Sequence, residues 1–129
     1  MQLSEHFSRE ELGCHHCGAC DVEPELLTAL EALRAAVGKP VIVNCGYRCP
    51  AHNAAVGGAL ASQHVLGRAA DVRVACVSPR ALYALAATIP GVKGLGVAGT
   101  YLHLDVRESD TLARWCYGAD GRTEAWRDA

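Results

Sequence analysis

Ser62-Gln63-His64-Val65-Leu66-Gly67-Arg68-Ala69-Ala70-Asp71, followed by His103-Leu104-Asp105, sets two imidazoles and a carboxylate at spacings that could do chemistry. His64, Asp71 and His103 together are the donor set of an open zinc (Zn2+) site: three protein ligands, with the fourth position left to water. Such a site brings a coordinated water to a pKa of about 7 and polarises a carbonyl, and the two effects together hydrolyse amides. Calcium and magnesium prefer all-oxygen ligands, so the mixed set points to zinc. A lone histidine is more often a surface residue or a satisfied core residue. The chemistry therefore depends on whether the fold makes the three side chains converge.

His64 and Asp71 are too far apart for one helical turn and would face opposite ways on one strand. Gly67 between them implies a loop that carries His64 around before a strand starts near Ala69. Tyr101 to Arg107 alternates apolar and polar residues and reads as a second strand, with Tyr101, His103 and Asp105 on one face. Ser8 and Glu11 fit a capping box for a short helix. Pro24 to Val37 has apolar residues at helical spacing, stopped by Gly38 and Pro40. Val41 to Val43 reads as a short buried strand, and Pro50 to Val56 as a short helix ended by Gly57-Gly58. Ala69 to Val74 is a strand, and Ser78-Pro79 opens a helix to about Ile89. Gly94 to Val97 and Tyr101 to Arg107 form a hairpin, Leu112 to Tyr117 adds an edge strand, and the polar tail from Gly118 to Ala129 frays. The expected fold is α+β, with helices packed on one face of a small, largely antiparallel sheet.

Composition narrows the function further. A length of 129 residues and 50% hydrophobic content make a single domain over 1–129 the default, with enough apolar mass for a core. Only 5% of residues are aromatic, so that core is mostly Ala, Val and Leu. A net charge of −2 with both signs interspersed gives no basis for a nucleic-acid or anionic-membrane partner. No stretch reaches the roughly 18 apolar residues of a membrane span, and a monomer is expected. The N-terminal residues lack both a basic and an apolar segment, so synthesis in the cytoplasm is expected without a visible signal peptide.

The chain has seven cysteines, and three of them fall in the cysteine-rich segment 1–21, as Cys14-His15-His16-Cys17-Gly18-Ala19-Cys20. This spacing favours metal or redox chemistry. Cys14, Cys17 and Cys20, with Cys45, Cys49 or a histidine as fourth ligand, could hold a second, structural zinc. The same thiols could form disulfides, or stay reduced as small apolar residues.

The run from Gly46-Tyr47-Arg48-Cys49-Pro50-Ala51-His52-Asn53 through Ser62-Gln63-His64 to Asp71 resembles the signature of the zinc D-Ala-D-Ala carboxypeptidase family. These are bacterial and phage peptidoglycan peptidases that share a metal-site fold with the hedgehog signalling domain. Phe7-Ser8, Val22 to Pro24, Gly94 to Val97 and Tyr101 to Arg107 also look like segments of its small single-domain members. The resemblance implies zinc on His64, Asp71 and His103, and peptidoglycan stem peptides as substrate, cut as a carboxypeptidase or an endopeptidase. It also implies action at the cell wall or in the periplasm. It places Arg48 near substrate, where a guanidinium can hold a terminal carboxylate by two parallel hydrogen bonds; the other reading is a surface arginine in a turn. Ser62 and Gln63 flank the first ligand, and Tyr101 shares the face of His103, so all three are candidate substrate contacts. His52 and Asn53 read as pins between loop and helix.

One position departs from the family pattern. Many relatives carry a carboxylate three residues before the last histidine, and this chain has Thr100 there. Asp105 is the nearest carboxylate on the strand, either as general base or as a partner that orients His103 and pairs with Arg107 or Arg48. The missing carboxylate leaves an alternative to catalysis: a zinc-stabilised cell-wall or protein-binding domain with little turnover.

Overall fold

Local chemistry sets where each helix of the computed structural model begins; the structure describes residues 1–57 and 62–128. The capping box of Ser8 and Glu11 opens α1 (Arg9–Leu12). Proline sits in the first turn of α2 (Pro24–Val37), which buries Leu26, Ala29, Leu30 and Leu33 along one stripe. Cys49 caps α3 (Pro50–Ala55) through its sulfur, and Ser78 caps α4 (Pro79–Ala86) through its hydroxyl. Helix α4 stops short of Ile89. Past Ala86 the chain tightens to Thr88 N–H on Leu85 O (3.2 Å) and Ile89 N–H on Ala86 O (3.1 Å). The Thr88 hydroxyl also donates to Leu85 O at 2.7 Å, competing with helical bonding. Gly58, expected with Gly57 to end α3, lies outside the described residues.

The strands are β1 (Ile42–Cys45), β2 (Ala69–Arg73), β3 (Gly94–Val97), β4 (Leu102–Asp105), β5 (Ala113–Tyr117) and β6 (Thr123–Glu124). They form one sheet in the order β1-β2-β4-β3-β5-β6, antiparallel except for the parallel pair β3–β5. The fold is α+β, as expected. Three details differ from the sequence reading. β1 is a partly exposed edge strand, not a buried one, because it pairs with β2 alone. β5 lies inside the sheet between β3 and β6, so it is not the edge. The tail does not simply fray: Thr123 and Glu124 pair with Tyr117 and Cys116, and the Trp126 ring packs on Tyr83 at 4.4 Å.

Alternation along the strands gives the sheet two unlike faces. Leu95, Val97, Leu102, Leu104, Ala70 and Val72 belong to one buried cluster with Leu26, Leu30, Leu33, Leu82 and Ala86 of α2 and α4. Burying each such leucine contributes about 1.5–3 kcal/mol, which fixes the register of β4. His103 and Asp105 therefore point to the opposite face, and a one-residue slip would exchange the two sets. On that second face β3 carries only Gly94 and Gly96, across from Asp105 and His103. A Cβ at Gly94 would overlap the Asp105 carboxylate, and one at Gly96 would lie 2.5 Å from Trp115 Nε1. The Gly-Leu-Gly pattern is thus the bare floor that admits these two large side chains.

Candidate metal centre

Asp71 and His103 are cross-strand partners on β2 and β4, which places their side chains side by side on the open face. His64 arrives from the loop before β2. That loop is tied down by Gly67 N–H on His64 O (3.2 Å) and Glu23 N–H on Gly67 O (2.9 Å). Both rings approach one oxygen: His64 Nε2 lies 3.3 Å and His103 Nδ1 3.1 Å from Asp71 Oδ1. The far nitrogen of each ring is also held. His64 Nδ1 meets Gly46 O at 2.8 Å, and His103 Nε2 meets Asp105 Oδ2 at 2.7 Å. A metal-binding histidine is usually fixed in this way, through its other nitrogen. The donor set therefore fits zinc: each oriented imidazole nitrogen lies from the shared carboxylate oxygen at close to the edge length of a four-coordinate site, about 3.4 Å for bonds near 2.1 Å.

Electrostatics support the same grouping. Burial disfavours the charged form of His64, yet its hydrogen bonds and charge interactions with Asp71 and Cys45 hold its pKa up at about 10. Burial pushes Asp71 up, but His103 and His64 outweigh it and keep the carboxylate well below the usual range. Cys45, opposite Asp71 in register, forms with His64 and Asp71 a group of three donors whose atoms lie within 4.8 Å of one another. Its Sγ is 3.9 Å from His64 Nδ1, the nitrogen already bonded to Gly46 O. Cys45 thus approaches His64 at the nitrogen that Gly46 O already holds, whereas His103 Nδ1 shares the Asp71 oxygen that His64 Nε2 approaches, and His103 is the better third ligand.

A cavity of about 590 Å³ lies over these residues, lined by Arg48, Ser62, Gln63, Tyr101 and Trp115 among others. All four residues that the sequence suggested for substrate contact, Arg48, Ser62, Gln63 and Tyr101, are therefore at its wall. Arg48 donates to Asn53 Oδ1 at 3.0 Å and to Cys45 Sγ at 3.6 Å, and it makes no salt bridge among the described residues. Ser62 Oγ accepts the His64 amide at 3.2 Å, and Gln63 Oε1 is buried without a partner among the described residues. Thr100, exposed in the β3–β4 turn, does not line the cavity.

Asp105 corrects one expectation. It is fully buried, and both its oxygens are engaged by Arg107, at 2.8 Å from Nε and 2.7 Å from Nη2, as well as by His103. Burial pushes its pKa up, but Arg107 and then His103 outweigh that and hold it well below the usual carboxylate range. A general base must reach the reacting water, and Asp105 lies behind His103, outside the cavity lining. Of the two roles read from the sequence, the geometry matches the orienting partner. Asp71 is then the one carboxylate among the described lining residues.

Residues 4–105 match the profile of the family described as Peptidase M15. The chain belongs to the peptidase M15 family. M15 members are zinc-dependent metallopeptidases, in keeping with the donor set on β2, β4 and the His64 loop. A comparison with curated proteins finds no match. The M15 match ends at Asp105, so Trp115, Tyr117 and Thr123 close the cavity from beyond the matched residues. Sequence reasoning missed these three. The parallel pairing of β5 on β3 that delivers Trp115 and Tyr117, with β6 and Thr123 paired beyond it, is non-local, and no motif marks it. Burial pushes the Tyr117 phenol up to about 12, so it stays a neutral hydrogen-bond donor in the wall.

Proposed function

We propose that this M15 member hydrolyses amide bonds of peptidoglycan stem peptides, as a D-Ala-D-Ala carboxypeptidase or a related endopeptidase, at the cell wall or in the periplasm. His64 Nε2, Asp71 and His103 Nδ1 would hold the zinc, which supplies an activated water and a polarised carbonyl. One observation carries the reading: two imidazoles, each fixed through its far nitrogen, converge on one carboxylate oxygen at the base of a cavity with a guanidinium in its wall. Arg48 would grip a substrate carboxylate, because its neighbours Asn53 and Cys45 leave the cation uncompensated within the described salt bridges. Gln63 Oε1 would accept a peptide N–H. The test is incubation of zinc-loaded protein with purified muropeptides, followed by mass analysis of the products. Released D-alanine identifies a carboxypeptidase and a cut stem an endopeptidase. His64→Ala and His103→Ala should each abolish the product and lose the one equivalent of zinc held at this centre. A second reading, a zinc-holding binding domain with little turnover, rests on Asp71 being the one carboxylate in the described lining, and unchanged muropeptides would select it.

Arg48→Ala is expected to weaken turnover of a free-carboxylate peptide by about 2–5 kcal/mol, the usual cost of removing one partner of a buried charge pair. A peptide with its C-terminus amidated should lose much less. Steady-state kcat/KM on the two substrates decides it, since equal losses would make Arg48 a structural residue.

A further inference from the structure

Three thiols outside the candidate centre meet in one place. Cys14 and Cys17 lie on a tight loop closed by Gly18 N–H on Cys14 O (2.8 Å) and Cys14 N–H on Ala19 O (2.7 Å). Cys49 joins them from the N-cap of α3, and the three sulfurs lie within 4.8 Å of one another. All three are free thiols. Backbone amides point at two of the sulfurs: Cys49 N–H at Cys14 Sγ (3.4 Å) and His52 N–H at Cys49 Sγ (3.4 Å). His16, from the same loop, brings Nδ1 to 3.6 Å from Cys49 Sγ, and its ring stacks on His52 at 5.9 Å between centroids. Cys20, expected from its spacing to complete the set, instead packs against the hydrophobic core and is not in the group.

We propose that Cys14, Cys17 and Cys49, with His16 as fourth ligand, form a structural zinc site separate from the His64–Asp71–His103 centre. Three thiolates and one imidazole are a closed tetrahedral donor set for zinc. With Zn–S near 2.3 Å and Zn–N near 2.0 Å, the tetrahedron has S···S edges of about 3.8 Å and S···N edges of about 3.5 Å. The Cys49–His16 distance already matches, and the sulfurs need only a small contraction. A disulfide would use two of the three thiols and leave the third, with its imidazole neighbour, unexplained. Amide donors aimed at sulfur favour the thiolate that zinc requires.

The position of this site gives it a role. It staples residues 14–17 to the segment 45–50. That segment presents Gly46 O to His64 Nδ1, carries Arg48 at the cavity wall, and is also held by Tyr47 N–H on Leu12 O (2.7 Å). An ion there would fix one wall of the candidate centre from outside it, as structural zinc does in small domains whose cores are modest.

The test uses the full chain purified with zinc and its cobalt-substituted form, because thiolate-to-cobalt charge-transfer absorption reports sulfur ligands and a His-His-Asp site has none. His103→Ala protein should retain one equivalent of metal and show that absorption. Cys17→Ser, at an exposed position that leaves the core intact, should lose one equivalent and the absorption with it, while Cys20→Ser and Cys45→Ser keep both. His16→Ala should shift the spectrum, and His52→Ala should not. In the zinc-loaded chain Cys17 and Cys49 should resist alkylation until a chelator is added. The proposal is overturned if the cobalt form of His103→Ala lacks the charge-transfer band, if Cys17→Ser keeps it, or if Cys45→Ser removes it. A disulfide among Cys14, Cys17 and Cys49 in the zinc-loaded protein, seen by mass, also overturns it.

Discussion

Asp105→Asn is expected to lower zinc affinity by about 10- to 100-fold and to destabilise the metal-free fold by about 3 kcal/mol. Asparagine is nearly isosteric, so no cavity opens, and the effect is electrostatic. Asp105 accepts from Arg107 and holds His103 Nε2. An amide nitrogen facing His103 would make Nε2 an acceptor and move the ring proton to Nδ1, the atom that faces Asp71. The ring would then present N–H where the metal needs a lone pair. Breaking a buried pair costs about 3–5 kcal/mol when the remaining charge is stranded. Arg107 is 29% exposed and can turn to water, which puts the loss at the lower end. The pH dependence follows from the depressed pKa. The stability Asp105 contributes is present above the unfolded value, about 3.9, and is lost as pH falls below it towards the lower folded value. The parent should therefore weaken in acid more steeply than Asp105→Asn. Denaturant titrations across pH and chelator competition for zinc measure the two effects. A variant unchanged in both would leave Asp105 without the orienting role.

That the three candidate ligands could converge was legible in the sequence because each lies in a stretch whose local geometry is readable, while their assignment to zinc came from the family resemblance. Alternation along Tyr101 to Arg107 put His103 and Asp105 on one face, and Gly67 marked the loop that swings His64 towards Asp71. What Asp105 does was not legible, since base and orienting partner look alike until Arg107 is seen to fold back onto it. The roles of Gly94 and Gly96 were hidden for a similar reason: a glycine-rich strand reads as weak until the side chains it makes room for are known. The cysteines show the same limit. Spacing put Cys20 with Cys14 and Cys17, while packing turns Cys20 to the core and brings Cys49 and His16 in from elsewhere. The two-residue strand β6 has no propensity signal at all and exists through pairing with β5.

Gly67→Ala is expected to cost about 2–5 kcal/mol, the sum of about 1–2 for an alanine in left-handed backbone and about 1–3 for forcing atoms into filled space. Gly67 has φ 73°, and a Cβ there would overlap the backbone carbonyl of Asp21. That carbonyl belongs to the segment leading into α2, whose buried leucines resist displacement, so the His64 loop must give way instead. Its ties at Glu23 N–H and His64 O would lengthen, and His64 would move relative to Asp71. Shifts of about 1 Å at a reacting centre can cost on the order of 100-fold in rate. Gly38→Ala is the control, because Gly38, at the C-cap of α2 and outside the cavity lining, has a similar φ of 68° with nothing within 4 Å of the added Cβ. It should lose only the backbone part, about 1–2 kcal/mol, with zinc affinity and turnover unchanged. Denaturation midpoints separate the clash from the strain, and zinc competition on both variants reports where His64 went. Equal stability losses, with zinc binding intact in Gly67→Ala, would mean that the loop absorbs the methyl group and that the glycine is not what positions His64.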